Sequence, residues 1–147
     1  MENKSHLTAI SRKKLSRPCN YLKSQGLLQG KILDYGCGRG QDCDILHSEG
    51  YDIRGYDPHY RPVLPEGRFD TIFCIYVLNV IPDVDERQEV VLSIRKKLKV
   101  DGEGYIAVRG KVKEGFTSRG TWQGNIFLDL PLLIGNSEYR IYTCGEH

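Results

Sequence analysis

From Ile32 to Gly40 the chain reads Ile-Leu-Asp-Tyr-Gly-Cys-Gly-Arg-Gly, an apolar run closed by an acid and followed at once by alternating glycines. This pattern suits the first strand-to-helix turn of an open α/β sheet. Glycine there lets the backbone turn tightly and approach a ligand with no Cβ in the way. Asp34 falls at the carboxyl end of the strand, where such sheets bind their ligands. A second strand, 51–57, ends in another acid, Asp57, which follows Gly36 by 21 residues. That spacing matches the acid that meets ribose hydroxyls, and a carboxylate suits a diol because it only accepts hydrogen bonds. Together these features predict a nucleotide-like cofactor with a positively charged portion.

Two cofactor classes share a glycine turn followed by an acid. A dinucleotide site reads G-x-G-x-x-G after a bare apolar strand. Here the third glycine arrives one residue early, Gln41 takes its usual place, and Asp34 precedes the turn. A carboxylate beside an anionic pyrophosphate is repulsive, whereas one beside a sulfonium and an amino group is attractive. The stretch resembles motif I of class I S-adenosylmethionine-dependent methyltransferases, commonly D-x-G-C-G-x-G. The resemblance covers roughly residues 31–110. It implies a Rossmann-like α/β fold in which Asp34 faces the methionine end of S-adenosylmethionine. Gly36, Cys37, Gly38 and Gly40 then pass under the cofactor, and Asp57 holds the ribose. Pro58, His59, Cys74 and Ile75 complete the expected cofactor set.

Composition adds limits rather than a function. One domain is expected for 147 residues, and a formal net charge of +2 is too small to argue for nucleic acid by itself. The five cysteines form no C-x-x-C pair, so neither a metal site nor a disulfide framework is expected, and a reducing cytoplasmic setting is. No apolar stretch is long enough to span a bilayer, and residues 1–11 lack the apolar segment of a secretory signal. Lys4, Arg12, Lys13, Lys14 and Arg17 give residues 1–15 the character of a basic arm. Solvation explains such an arm better than a ligand does, although a phosphate or the cofactor's carboxylate would suit one of its cations.

Along the chain, Ser16-Arg17-Pro18 offers a helix start and Gly26 a stop. A helix follows Gly40 and ends at Gly50. Pro58, Pro62 and Pro65 then leave no space for the usual second helix and third strand, so a trimmed sheet resumes directly at 69–75. Asp85-x-x-Gln88 resembles a capping box for the next helix, and residues 101–104 read as a turn before a strand at 105–108. That helix–turn–strand stretch is similar to the L-K-P-G-G turn of methyltransferases, with Val100 in place of the proline. Two strands near 122–130 and 138–144 are expected to form an antiparallel C-terminal pair.

A narrower likeness rests on T-A-I-S-R-K-K-L-S-R-P (8–18), L-D-Y-G-C-G-R-G (33–40), Y-D-P-H-Y-R-P (56–62) and V-L-N-V-I (77–81). These segments resemble DNA phosphorothioation-associated methyltransferase-like proteins, of which this chain matches the core. The likeness implies a nucleic-acid acceptor slightly ahead of a small molecule, with a protein partner to select the target. The transfer site is expected after the strand at 70–75. The D/N-P-P-Y/F motif of DNA amino-methyltransferases and the P-C pair of cytosine C5 enzymes are both missing there. Tyr76 and Asn79 are the polar candidates for meeting a substrate, against a favoured alternative in which Tyr76 packs and Asn79 caps or turns the chain. His59 and Tyr60 either cover the adenine face or are plain turn residues. Arg109, Lys111, Lys113 and Arg119 are placed to border the substrate mouth, and Trp122 reads as core more readily than as a stacking platform. A catalytically silent cofactor-binding subunit and, less favoured, a dinucleotide-dependent oxidoreductase are the rival functions.

Overall fold

The computed structural model describes residues 14–145. Helix α1 (Arg17–Ser24) leads into strand β1 (Lys31–Tyr35), helix α2 (Gln41–Ser48) and strand β2 (Asp52–Tyr56). Strand β3 (Phe69–Ile75), a 3-10 turn at Leu78–Val80, helix α3 (Val84–Lys96) and strand β4 (Leu98–Arg109) follow. The chain closes with β5 (Gly115–Phe116), β6 (Trp122–Gln123), β7 (Leu132–Gly135) and β8 (Tyr139–Thr143). Six strands form one sheet in the order β2-β1-β3-β4-β8-β7, while β5 and β6 make a separate ribbon. The first four run parallel, and β8 runs antiparallel to both β4 and β7. This is the Rossmann-like α/β architecture expected, with its antiparallel closing pair.

Strand alternation divides the core between two faces of the sheet. Ile32 and Phe73 point to the side covered by α1 and α2, where they join Leu22 and Leu46. Leu33, Ile72 and Ile106 point to the other side and join Ile94 of α3. Between β2 and β3 the described residues form no helix or strand. They hold only a bridge in which Asp57 and Arg61 exchange backbone hydrogen bonds of 3.0 Å. The trimmed sheet is therefore real, and β2 lies at its margin. No helix among the described residues is long and apolar enough to cross a membrane.

Three local expectations are corrected. The supposed turn at 101–104 lies inside β4, where a shift of register against β3 absorbs it. Gly102 permits that shift, because a Cβ there would sit 2.9 Å from the Phe69 carbonyl oxygen. The closing pair uses 132–135 rather than 122–130. Only Trp122 and Gln123 of the latter form a strand, and Asn125 leaves to exchange hydrogen bonds of 2.9 Å with the Val112 backbone. Helix α3 is capped by Asp83, whose carboxylate accepts from the Asp85 N–H at 3.0 Å, so Asp85 belongs to the first turn. Asp83→Ala is expected to cost about 1 kcal/mol of stability, and Asp85→Ala about 0.5 kcal/mol through the helix dipole alone. Urea unfolding of the two variants measures the difference, and equal losses would reject this assignment of the cap.

Candidate functional site

Asp34, the residue before the end of β1, is paired with Gly55 of β2 and Phe73 of β3, which sets it among the parallel strands near their carboxyl ends. It is only 4% exposed. No hydrogen bond reaches its carboxylate from the described residues. Burial pushes its pKa well above the ordinary carboxylate range, Asp42 and then Asp57 add to the rise, and Arg61 opposes it. A buried, unpaired carboxylate is costly in its ionised form, so the pocket favours either a proton or a cation.

The turn after Asp34 is pinned to β2. The Gly36 and Cys37 N–H groups both donate to the Tyr56 carbonyl, at 2.7 and 2.9 Å. Gly36, Gly38 and Gly40 all adopt positive φ. A Cβ on Gly36 would collide with the Val77 side chain, and one on Gly40 with the Arg61 guanidinium, whereas one on Gly38 would enter open space. The backbone is thus packed from behind at two glycines and open in front at the middle one. Cys37 lies within the turn and donates weakly to the Gly38 carbonyl. Burial and then the Asp34 charge push its thiol up to about 12, which leaves it unionised at neutral pH.

Asp57 does more than occupy the end of the second strand. One carboxylate oxygen accepts from the Gly38 N–H, and the other accepts from the His59 and Tyr60 N–H groups, all at 3.0 Å. Pro58, His59 and Tyr60 therefore form a closed loop, with the His59 ring edge-on to Tyr60 at 4.6 Å. Arg39 of the glycine turn lies 5.4 Å from the Tyr60 ring centroid. Arg61 completes the loop by donating to Asp44 of α2 at 2.9 Å. Sequence reasoning assigned Arg61 no role. Its only signal was its place in Y-D-P-H-Y-R-P, because its partner lies 17 residues upstream.

Asp42, also missed, anchors α1. It accepts from the Ser16 N–H at 2.8 Å and from the Ser16 hydroxyl at 2.6 Å. A cavity of about 460 Å³ opens beside this anchor, lined by Lys14, Ser16, Cys37, Arg39, Gln41 and Asp42. Lys14 and Arg17 are the described members of the expected basic segment; Lys4, Arg12 and Lys13 lie outside the described residues. Among the described residues no group of His, Cys, Asp and Glu could hold a metal.

At the end of β3, Cys74 is fully buried in the core beneath α3, so only Ile75 of that expected pair keeps exposed surface. Tyr76 adopts φ 61°, in the left-handed region, and its N–H donates to the Ala107 carbonyl at 2.8 Å. The Arg109 guanidinium lies 3.9 Å from the Tyr76 ring centroid. Asn79 is 3% exposed and sits in the 3-10 turn, its backbone carbonyl accepting from the Gly124 N–H. Its amide oxygen is buried without a hydrogen-bond partner among the described residues. The structure thus brings Tyr76 to the strand ends and packs Asn79 beneath the segment that follows β6. Trp122 is half-buried against the core there.

Residues 7–110 match a family model described as a methyltransferase domain. Among solved structures, the chain is similar to a TehB-like S-adenosylmethionine-dependent methyltransferase from Corynebacterium glutamicum. The TM-score is 0.60 at 18% identity, covering 99% of this chain and 100% of that one. It is similar also to the CcbJ methyltransferase from Streptomyces caelestis, with a TM-score of 0.53, 16% identity and coverage of 67% and 53%. A protein that converts a disulfide bond into a thioacetal group in echinomycin biosynthesis gives a TM-score of 0.52, 22% identity and coverage of 62% and 47%. The chain thus spans about half the length of the last two, and at these identities the likeness is one of fold. No curated protein matches the sequence.

Proposed function

The chain belongs to the methyltransferase-domain family, and on that premise we propose that it binds S-adenosylmethionine at the ends of β1 and β2 and directs its methyl group to an acceptor at the end of β3. The observation that carries this reading is the buried Asp34 carboxylate, which has no hydrogen-bond partner among the described residues and lies at the foot of a glycine turn with an open front. When bound, the cofactor supplies an electrophilic methyl group on a positively charged sulfur. Asp34 pairs with the positive methionine end. Gly38 lets the backbone approach it, and Lys14 and Arg39 in the adjoining cavity suit its carboxylate. Asp57 meets the ribose. Three of its roughly four acceptor positions already serve backbone N–H groups, so it has one left for a hydroxyl rather than two for the diol. His59 and Tyr60 border the adenine side. A dinucleotide fits less well, because its pyrophosphate would meet the Asp34 carboxylate beside the glycine turn.

The first acceptor class is a small molecule. The echinomycin-biosynthesis neighbour, similar in fold, supports this reading. Nucleic acid is the second reading. It is favoured by the narrower likeness to phosphorothioation-associated proteins and by exposed Arg109 at the end of β4, with Lys111 and Lys113 after it. A silent cofactor-binding subunit predicts binding without transfer to any acceptor.

Calorimetric titration of S-adenosylmethionine, S-adenosylhomocysteine and a nicotinamide dinucleotide tests the assignment. Saturable binding of the first two alone is expected; binding of the dinucleotide alone, or of none, would reject it. Proton linkage gives a sharper result. The Asp34 pKa is raised in the cofactor-free chain, and pairing with a cation requires the ionised form, so binding of S-adenosylmethionine releases a proton. Affinity rises with pH through the Asp34 titration and levels off above it. Folding stability runs the other way. The contribution of protonated Asp34 is full below the ordinary carboxylate range and is lost as pH rises through its raised value. Asp34→Asn therefore removes both slopes, weakens cofactor binding about tenfold and stabilises the cofactor-free chain at neutral pH. Titrations in buffers of different ionisation enthalpy measure the released proton. An unchanged proton count in the variant would assign it to another group.

A further inference from the structure

Arg109 ends β4 with an exposed side chain, and no carboxylate pairs with it among the described residues. Arg17, the other cation whose charge reaches Tyr76, is already committed to Glu138 at 2.7 Å. Arg109 is not a loose surface cation either, because its guanidinium rests on the Tyr76 ring at 3.9 Å. Stacking occupies the face of the guanidinium and leaves its in-plane N–H fork free, the edge that reads a carboxylate or phosphate with two parallel hydrogen bonds.

The support beneath that fork is itself strained. Tyr76 holds φ 61°, a left-handed conformation that bulky L-residues rarely adopt. Such outliers persist where the surroundings impose them, and they cluster at ligand sites. Here the Tyr76 N–H is tied to the Ala107 carbonyl, and the next residue, Val77, packs behind Gly36 of the cofactor turn. One short segment therefore links the turn that cradles the cofactor to the ring that carries the arginine. Burial raises the Tyr76 hydroxyl pKa, and the nearby charges of Arg109, Glu138 and Arg17 act on it as well, so this ring sits among them at the strand ends.

The geometry points to Arg109, presented on the ring of Tyr76, as an anion-binding arm of the acceptor site, and to an acceptor that carries a carboxylate or phosphate group beside the atom to be methylated. This inference rests on the methyl-transfer reading above and supplies what that reading lacks, a chemical class for the acceptor. Lys111 and Lys113, both exposed on the chain that leaves β4, add positive charge close in sequence to Arg109. Neutral acceptors would leave the guanidinium fork facing water and gain nothing from the strained tyrosine.

The arginine Nε–Hε signals of the 15N-labelled chain, saturated with S-adenosylhomocysteine, provide the test. Acetate, inorganic phosphate and a ten-nucleotide single strand are the probes, and Arg109→Lys identifies the Arg109 signal by its loss. The expected result is a saturable shift of the Arg109 signal larger than that of any other arginine. Arg109→Gln should weaken that probe about tenfold while leaving S-adenosylhomocysteine affinity within twofold of wild type. Response to acetate alone indicates a carboxylate acceptor and response to phosphate a small phosphate ester. Response to the strand with neither small anion indicates nucleic acid. No shift with any probe, or equal affinity in Arg109→Gln, would overturn the inference. Failure of wild type to bind S-adenosylhomocysteine would instead overturn the cofactor reading on which it stands.

Discussion

Asp57→Ala is expected to weaken S-adenosylmethionine binding about a hundredfold and to destabilise the cofactor-free chain by about 2 kcal/mol. The carboxylate serves three backbone donors in two segments, the glycine turn at Gly38 and the loop at His59 and Tyr60. Removing it releases all three N–H groups, detaches the loop from the turn and deletes the ribose contact in one step. Water replaces part of the lost bonding, which keeps the stability loss moderate; the geometry of the site has no such substitute. Asp57→Asn separates the two roles. An amide retains one oxygen acceptor, so it can satisfy Gly38 or the loop but not both, and about half of the stability loss should return. Calorimetry and urea unfolding on the two variants read both quantities. Binding lost with stability intact would make Asp57 a ligand contact alone and dismiss its bracing role.

Gly36→Ala is expected to cost about 3 kcal/mol and to abolish measurable cofactor binding. Two penalties coincide at this position. Its φ of +85° lies in the left-handed region, and its missing Cβ is the space that the Val77 side chain fills. Movement away from Val77 would pull the Gly36 and Cys37 N–H groups from the Tyr56 carbonyl that both share. The double variant Gly36→Ala/Val77→Ala removes the collision but retains the backbone strain. If both penalties act, it should fold better than the two single losses summed, with a coupling of about 1 kcal/mol. Strict additivity would show that Val77 yields without cost.

What the sequence discloses and what it hides follow the range of the interactions. Asp34, the glycine turn and the strand before it lie within nine consecutive residues, so hydrophobicity, glycine spacing and charge mark them together. The missing helix and third strand were equally legible, because three prolines in a short span exclude both. The cap of α3 was ambiguous even locally. Asp83 precedes Glu86 by the same three residues that separate Asp85 from Gln88, and only the observed bond from the Asp85 N–H decides. Strand β7 was misplaced because 122–130 and 132–135 are both plausible apolar runs; pairing with β8 chooses between them. Arg61 was overlooked for the same reason, since its meaning depends on Asp44 in a different element. The left-handed Tyr76 left no trace at all, as tyrosine has no preference for that conformation.

Trimming the sheet also sets a clock. The strand that delivers Asp57 is the outermost of six, so the ribose side of the site has a neighbouring strand on one flank only. In a wider sheet a further strand and helix would wall the opposite flank, and a bound nucleotide would leave only after they moved. Here the wall is the five-residue loop from Asp57 to Arg61, tied to the glycine turn through Asp57 and to α2 through Arg61. On the proposed cofactor assignment, S-adenosylhomocysteine residence is expected to be brief, which stopped-flow displacement by fresh donor measures.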